Sequence, residues 1–272
     1  METQHTANGP ALLLIDGLNI VRRCYEANPA PDSPEKAQAT SQTAFSSFRR
    51  ALVEHTHTHA LAAFDFGGHT FRHDMYPRYR EKRKPMPQEL RDILPAFQQR
   101  LTEDLGLAVV CIPGVEADDV IGTVHTRWVA CKAAPAIVVS TDKDLCQLIA
   151  AGALLRDHFK PEWRDADWVF TKFGVAPQQL GDLLALMGDS SDDIPGVAGI
   201  GVKTAAKLLT EYGDLESLLA AASGIKGKTG EQLREQAEMA RLSRRLVALN
   251  TSVAVGVTWN SLLRQSAPAM AA

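Results

Sequence analysis

The sequence predicts an α/β fold built on a parallel sheet, followed by a smaller domain made of helices alone. Short apolar runs typical of buried strands alternate with longer segments of helical periodicity. Such alternation indicates parallel strands joined by helical crossovers. Beyond about residue 178 the helical pattern recurs without strong strands between the helices.

The first domain contains four predicted strands, each a short apolar run. They are "ALLLID" (11–16), "ALAAFD" (60–65), "LAVVCIP" (107–113) and "AIVVSTD" (136–142). Helices are predicted over residues 35–55 and 88–106, and Pro95 is expected to bend the second of them. "SVAVGVTW" (252–259) is a weak strand candidate after the helices.

The change of pattern places a domain boundary near residue 175. We therefore expect an α/β domain over residues 1–175 and a helical domain over residues 176–260. The remaining residues, 261–272, are mostly small and polar, and they are expected to form a frayed tail.

Composition and charge limit the classes of protein that fit. The chain has 272 residues, of which 45% are hydrophobic, so it can bury a sizeable core. Its 32 acidic and 29 basic residues leave a net charge of −3, so any affinity for nucleic acid must come from local basic patches. Neither a basic leader nor a long apolar run is present, and we expect a cytoplasmic protein.

Acidic residues collect at strand ends, loop bends and helix starts. Nine are candidate metal ligands: Asp16, Asp65, Glu116, Asp118, Asp119, Asp142, Asp144, Asp189 and Asp192. Two carboxylates about 4 Å apart repel by roughly 4 kcal/mol at an effective dielectric constant near 20, so a cation is needed among them. Oxygen ligands without Cys or His favour Mg²⁺ or Mn²⁺. Nine acids suffice for two ions, which could promote hydrolysis of a phosphodiester.

Helix capping is the simpler explanation for any one of these acids taken alone. It does not explain why Asp16 and Asp65 close apolar strands. In an open α/β sheet the site lies beyond the carboxyl ends of the strands, so these acids are expected at one edge. A second candidate cluster, His55, His57 and His59, has the spacing of a metal strip but lacks companions, and we expect a solvated turn there.

A basic segment follows the second strand and reads "FRHDMYPRYREKRKPMP" from Phe71 to Pro87. Its cationic residues are Arg72, Arg78, Arg80, Lys82, Arg83 and Lys84, and tyrosines stand at positions 76 and 79. Such a surface could contact phosphates and stack on unpaired bases, although a solvated basic loop fits the composition equally well. Because the segment leaves the sheet directly after Asp65, it could fold over the acidic edge.

A second phosphate-binding pattern lies in the helical domain, in "IPGVAGIGVKTAAKLL" (194–209). Two glycine turns lead into a helix expected to begin near Val202, where free backbone N–H groups can bind a phosphate oxygen. The candidate DNA-binding residues are Gly199, Ile200, Gly201, Val202, Lys203 and Thr204. The pattern resembles a helix-hairpin-helix element, although an ordinary connection between helices remains the alternative.

Together, "VEADDVIGT", "STDKD", "ALMGDSSDDIPGVAGIG" and "KPMP" resemble the 5′ nuclease (flap endonuclease) family, which includes the 5′-to-3′ exonuclease domain of bacterial DNA polymerase I. The resemblance runs from about residue 10 to 250. It implies a Rossmann-like (PIN-type) nuclease domain with a helical arch over residues 71–95, joined to a helix-three-turn-helix DNA-binding domain.

The resemblance also implies roles for individual residues. Asp16, Asp65, Glu116, Asp118 and Asp119 would hold a first Mg²⁺, and Asp142, Asp144, Asp189 and Asp192 a second. Arg80, Arg83 and Lys84 would act on the scissile phosphate, with Arg80 at a position where the family usually has lysine. Main-chain carbonyls of Leu186, Met187, Pro195, Val197 and Ile200 would bind K⁺. Asp193 replaces the family's usual Asn and is not counted as a ligand.

The function implied is a Mg²⁺-dependent, structure-selective 5′ nuclease, with Mn²⁺ able to substitute. Its partner would be DNA with 5′ flaps, overhangs or branches, and the protein is expected to be a monomer without membrane association. The main alternative is a flap-DNA-binding protein of the same fold with weak or no cleavage. A PIN-type ribonuclease and a phosphatase for small esters are further alternatives, but neither needs the arch and the glycine hairpin. Exonuclease and flap endonuclease preferences are not distinguished.

Overall fold

A computed structural model of the chain describes residues 10–264. Six strands form one sheet: β1 Leu12–Asp16, β2 His59–Asp65, β3 Ala108–Ile112, β4 Ala136–Val139, β5 Ala153–Asp157 and β6 Glu162–Arg164. Their order is β3-β2-β1-β4-β5-β6, and every neighbouring pair is parallel except β5 and β6. The four predicted strands and the α/β class are confirmed. β5 and β6 were not predicted.

The helices of the first part are α1 Gly17–Ala27, α2 Pro34–Glu54, α3 Phe71–Met75, α4 Gln88–Leu105, α5 Ala117–Lys132 and α6 Ala166–Phe173. Those that follow are α7 Leu180–Met187, α8 Val202–Tyr212, α9 Leu215–Ala221, α10 Gly227–Glu235, α11 Ala237–Val247 and α12 Trp259–Leu262. Short 3₁₀ helices cover Asp144–Ala151 and Pro177–Gln179. α2 and α4 match the predicted helices closely, and α4 continues through Pro95.

Both faces of the sheet are buried, because alternate residues of each strand point to opposite sides. Leu13 and Ile15 of β1 join one core with residues of α1, α2 and α4. Leu12 and Leu14 join a second core, which contains Trp128 of α5 and continues into α7 to α11. The helical part therefore packs on the same sheet face as α5. That shared core holds α7 to α11 against α5 and the sheet.

The arch was expected over residues 71–95, which follow β2 and reach into α4. It is helical at α3, continues through turns from about residue 77 to 82, and becomes helical again only at Gln88. Tyr79 is 3% exposed and belongs to the core. The segment therefore lies against the protein at its base instead of standing free as a continuous helix.

The expected solvated turn at the three histidines is wrong. His55, His57 and His59 are all buried, with exposures of 6%, 6% and 7%. His57 Nδ1 lies 2.7 Å from the carbonyl oxygen of His55, and the His59 ring packs edge-on against Trp128 with centroids 4.8 Å apart. They are buried because this segment leads directly into β2 and is held against the start of β1, where Thr58 is hydrogen-bonded to Ala11.

The end of the chain also differs from expectation. Ser252 lies in a turn, residues 253–258 belong to neither a helix nor a strand, and α12 begins at Trp259, so the weak strand candidate is wrong. Leu262 is 1% exposed, and Arg264 N donates to Thr58 O at 2.9 Å, so residues 261–264 of the expected tail are packed on the sheet domain. Residues 265–272 lie outside the described residues. Within residues 10–264, none of the helices has the length and apolar character needed to span a bilayer.

Candidate active site

The strand order places a crevice at the carboxyl ends of β1 and β4, where the order of connection reverses. Asp16 ends β1 and caps α1, accepting from Asn19 N at 3.1 Å. Its other oxygen accepts from Ser140 Oγ at 2.8 Å, and Ser140 Oγ in turn accepts from Asp142 N at 2.9 Å. One hydroxyl thus links the acid after β1 with the acid after β4.

The third strand end is joined to the same edge through α5. Asp65, the last residue of β2, accepts from Ala117 N at 2.8 Å, which holds the first turn of α5 against the sheet. Because α5 starts there, the first-turn carboxylate of Asp118 is delivered beside Asp65 and Asp16, whereas Asp119, one residue on, is paired with Arg72. Segments that are distant in sequence therefore bring their acids to one edge.

The proximity of these acids is visible in their pKa values. Burial, then the charges of Asp65 and Asp142, raises the pKa of Asp16 to about 7. Burial also raises the pKa of Asp65. Asp118 keeps some accessible surface but lies deep among protein atoms; that burial, with Asp142, Asp16 and Asp65, raises its pKa well above the usual value. Like charges so arranged favour either proton uptake or a cation among them.

A second group of acids lies across the crevice. Burial and Asp142 raise the pKa of Asp144 to about 8. Burial opposes ionisation of Asp189, but hydrogen bonds from Lys143 Nζ at 2.6 Å and Ser191 Oγ at 2.6 Å outweigh it and lower its pKa. A cavity of about 300 Å³ opens beside this second group. It is lined by Asn19, Arg80, Arg83, Thr141, Asp142, Lys143, Asp144, Asp189, Ser191 and Asp192.

The donor set fits a hard divalent cation that keeps part of its water shell. Within the described part of the chain, no three His, Cys, Asp or Glu side chains close around a common point to form a complete cage. Mg²⁺ is usually bound by one or two carboxylates plus waters and substrate phosphates, so it does not need such a cage. Burial and neighbouring carboxylates raise the pKa values of the acids, and no Cys or His lines the crevice. Both features agree with that mode of binding.

The arch contacts this edge directly. Arg80 Nη1 lies 3.0 Å from Glu116 Oε2, and Arg80 Nη2 lies 3.0 Å from Asp192 Oδ2. Arg83 is 37% exposed and approaches Asp192 at 3.7 Å, whereas Lys84 is exposed. Of the residues predicted to act on the phosphate, Arg80 and Arg83 therefore line the crevice, whereas Lys84 is exposed outside its lining.

Two members of the basic segment are not at the surface. Arg72 is 3% exposed and Tyr79 is 3% exposed, so neither is available to phosphates or bases as the sequence suggested. Arg72 binds Asp119 through both terminal nitrogens, at 2.7 and 2.8 Å. Tyr79 OH donates to Glu116 and Asp192, both at 3.1 Å. Composition alone gave no signal for burial, because both residues lie among exposed arginines and lysines.

The glycine hairpin forms as predicted, and α8 begins at Val202. Gly196 has a φ of 64°, and a Cβ there would lie 2.7 Å from the carbonyl carbon of Met187, so only glycine allows the two backbone turns to pack. Gly199, Gly201 and Lys203 are exposed, Val202 and Thr204 are partly exposed, and Ile200 is buried. The carbonyl of Leu186 accepts from Val197 N at 2.8 Å, which places two of the five candidate K⁺-binding residues side by side.

A cluster of carboxylates at a Rossmann switch point, a basic arch bound to it and a glycine hairpin on adjoining helices define the class of the 5′ nucleases. The chain belongs to the 5′-3′ exonuclease family. Residues 11–174 match the family's N-terminal resolvase-like domain, and residues 175–269 match its C-terminal SAM fold. Members of this family are phosphodiester hydrolases, so the protein is an enzyme of the 5′ exonuclease and flap endonuclease type.

Named relatives match over nearly the whole chain. The flap endonuclease Xni of Aeromonas hydrophila subsp. hydrophila is 40% identical over 262 residues, covering 95% of this chain and 97% of that protein. The flap endonuclease Xni of Serratia proteamaculans is 39% identical over 247 residues, covering 90% of this chain and 94% of that protein. The chain is thus similar to complete flap endonucleases.

Solved structures confirm the fold. The bacteriophage T5 flap endonuclease, in a complex with DNA and metal ions, has a TM-score of 0.72 at 22% identity, covering 89% of this chain and 90% of that one. The T5 5′-exonuclease with zinc bound has a TM-score of 0.67 at 22% identity, with the same coverage. Both share the sheet with its adjoining helical part, which confirms the fold class.

Proposed function

We propose that the protein is a Mg²⁺-dependent, structure-selective 5′ nuclease that cleaves DNA at flaps, overhangs or other branches. The observation that carries this proposal is the convergence of Asp16, Asp65, Asp118 and Asp144 at one edge of the sheet, beside the basic arch, where burial and neighbouring carboxylates raise their pKa values. The naming of the relatives as flap endonucleases and the DNA and metal ions in the T5 complex support the same function.

The crevice offers two groups of ligands for two divalent ions. Asp16, Asp65 and Asp118 would hold one, and Asp144, Asp189 and Asp192 the other, with Asp142 between them. When bound, such ions activate a water and neutralise the leaving oxygen of a phosphodiester, and Mn²⁺ can replace Mg²⁺. The protein's part is to fix the carboxylates: Ser140 orients Asp16, and the start of α5 orients Asp65.

The arch supplies the groups that bind the scissile phosphate. Arg80 and Arg83 line the same crevice as the acids, so a phosphate entering it meets both guanidinium groups. Arginine binds phosphate through two parallel hydrogen bonds but does not lose its proton, so Arg80 acts by charge and orientation and not as a general acid. Lys84, which is exposed, would contact the DNA backbone further from the reacting atoms.

The glycine hairpin would grip the duplex without reading its sequence. Exposed backbone at Gly199 and Gly201 and the start of α8 present N–H groups to a phosphate, and Lys203 adds charge. Carbonyls of Leu186, Met187, Pro195, Val197 and Ile200 are the proposed ligands of a K⁺ ion. Such an ion would stiffen the packed turns and add positive charge beneath the DNA backbone.

Cleavage of a 5′-flap substrate by an Asp118→Ala variant tests the proposal. We expect Mg²⁺-dependent cleavage by the unmodified protein, suppression by EDTA, and loss of at least a thousandfold in rate in the variant, while DNA binding survives. Asp104→Ala is the matched control, because Asp104 is 52% exposed near the end of α4, which leads into the start of β3 and not to the strand ends that carry the acids. Undiminished turnover of Asp118→Ala would refute the site, and binding without cleavage by every form would favour a flap-binding protein. A matched blunt duplex and product lengths distinguish exonuclease from flap cleavage.

A further inference from the structure

Arg72 is an arginine from the base of the arch that is completely engaged inside the protein. Besides its two bonds to Asp119, its Nη1 lies 3.2 Å from Glu116 Oε1. Its Nε donates to Leu246 O at 2.8 Å, and Nη2 donates to Ala248 O at 2.9 Å. A guanidinium has five N–H donors in a fixed plane, and here they meet two carboxylates and two carbonyls.

These partners belong to three different parts of the molecule. Arg72 lies in α3 at the start of the arch, and Asp119 and Glu116 lie at the start of α5 beside the acidic crevice. Leu246 is near the end of α11, and Ala248 is the residue that caps it. Asn250 N adds a bond to Asp119 Oδ1 at 2.8 Å, which ties the chain after α11 to the same carboxylate. The arch, the crevice and the end of the helical part thus meet at one ion pair.

These contacts also engage the carboxylates of Asp119 and Glu116 with donors from the protein. Asp119 is 1% exposed, and Arg72 and Asn250 occupy both of its oxygens. Glu116 is 4% exposed, and it accepts from Thr70 Oγ1 at 2.9 Å and from Tyr79 OH at 3.1 Å. A divalent ion would have to displace a buried guanidinium to reach Asp119. The charges that act most strongly on Asp118 are instead those of other carboxylates, Asp142, Asp16 and Asp65.

We propose that Arg72 is a positioning residue, anchored by Asp119, which couples the DNA-binding helical part to the arch over the active site. On this assignment, which rests on the proposed function, Asp119 is not a metal ligand. Duplex DNA bound by α8 and the hairpin would restrict the position of α11 through the shared core. Arg72, which is bonded to the end of α11, would in turn restrict the position of the arch. Arg80 and Arg83 then face the crevice in a fixed position.

Two simpler roles must be distinguished from coupling. Asp119 could ligate a metal, or the ion pair could be an ordinary part of the core that affects only stability. A metal role predicts loss of cation affinity when Asp119 is changed. A purely structural role predicts lower stability without a selective effect on turnover, and independence from Arg80.

Cation binding by the free, full-length protein decides the first point. Mn²⁺ affinity is measured by calorimetry without DNA for Asp119→Asn and Asp118→Asn. We expect Asp119→Asn to retain the affinity of the unmodified protein within about twofold and Asp118→Asn to lose at least tenfold. Equal losses would overturn the assignment of Asp119. This measurement needs no cleavage, so it stands even if the proposed nuclease function fails.

Turnover and DNA binding of Arg72→Lys decide the second point. A lysine keeps the charge but cannot span Asp119 and the two carbonyls together. We expect kcat on flap DNA to fall at least tenfold while Kd for duplex DNA changes less than twofold. Because Arg72 acts through the arch, Arg72→Lys combined with Arg80→Lys should lose little more than Arg80→Lys alone. Additive losses, or equal losses in kcat and duplex binding, would overturn the coupling.

Hydrogen exchange supplies a readout independent of activity. In Arg72→Lys, amides of residues 70–80 and 246–250 should exchange faster together, while those of β1 and β4 stay protected. Arg100→Lys is the matched control, since it weakens an exposed ion pair on α4. Faster exchange confined to residues 70–80 would contradict the coupling. If Arg72→Lys does not fold, Asp119→Asn breaks the same ion pair from its other end and carries all three measurements.

Discussion

Arg80 holds two acids from different parts of the chain with one side chain. Its bonds to Glu116 and Asp192 span the start of α5 and the loop after α7, and its own φ of 56° is unusual for a residue with a side chain. Burial opposes its charge, but Glu116 and Asp192 outweigh burial and raise its pKa. Arg80 therefore stays charged at any working pH. A substrate phosphate entering the crevice competes with these carboxylates for the guanidinium.

Among residues outside the crevice, His125 carries the clearest pH dependence. It is 0% exposed on α5, neither ring nitrogen has a hydrogen-bond partner among the described residues, and burial lowers its pKa to about 4. The unfolded chain takes up this proton near the ordinary pKa of about 6.5, whereas the folded protein resists it until about 4. The stability that neutral His125 preserves is therefore present above about pH 6.5 and is lost as the pH falls toward 4.

His125→Leu should make the free energy of unfolding less sensitive to acid. Between pH 7.5 and pH 5 we expect the unmodified protein to lose about 2 kcal/mol more than the variant, because the unfolded chain is protonated over about 1.5 pH units, from 6.5 to 5, at about 1.4 kcal/mol per unit, while the folded protein stays neutral. Urea unfolding at both pH values, without divalent ions, measures the difference. The other buried histidines titrate in both proteins and cancel. Equal losses in the two proteins would contradict the prediction.

At the scale of elements, the glycine hairpin is the most constrained connection. Gly188 and Gly196 both have positive φ, of 73° and 64°, and their backbones pack against each other. The proposed K⁺ ligands and the DNA-contacting turn both depend on this packing. A change that forces the turns apart should affect stability and DNA binding together.

Gly196→Ala should cost about 1 to 3 kcal/mol of stability, because the new Cβ would lie 2.8 Å from Gly188 Cα at a φ of 64°. Gly199→Ala is the control: its φ of 80° is strained as well, but nothing lies within 4 Å of the added carbon. It should therefore cost less. Urea unfolding ranks the two variants, and duplex affinity of Gly196→Ala should fall at the same time. A larger loss for Gly199→Ala would refute the packing argument.

Some of the strands and contacts could be predicted from the sequence, and others could not. β1 to β4 were predictable because they are apolar on both faces, whereas β5 "ALLRD" ends in two charged residues and β6 "EWR" has only three residues, two of them charged. The acidic edge was predictable because parallel strands end on one side. The partners of each acid were not, since Arg72 reaches Leu246 across 174 positions, and no local pattern encodes such a contact. The burial of His55, His57 and His59 depended likewise on a tight tertiary turn.

At the scale of the whole molecule, acidic and basic side chains are concentrated in different places. The net charge is −3, yet the acids converge on the crevice while Arg83, Lys84 and Lys203 lie exposed around the proposed DNA path. A protein without overall positive charge can bind DNA only through such local contacts. One continuous core joins the sheet to α7 to α11, so the hairpin and the crevice are held in one body.

Salt dependence of DNA binding tests this division. Each phosphate contact made by a cationic side chain contributes about −0.9 to the slope of log affinity against log salt concentration. Lys203→Gln should therefore weaken duplex binding and make the slope less steep by about 1. Lys132→Gln is the matched control, because Lys132 ends α5 at the edge of the sheet opposite the crevice and should leave both quantities unchanged. Fluorescence anisotropy measures both slopes, in Ca²⁺ and at roughly 50 to 200 mM salt, the range in which phosphate contacts dominate the affinity. If the two variants behave alike, Lys203 does not contact the DNA backbone.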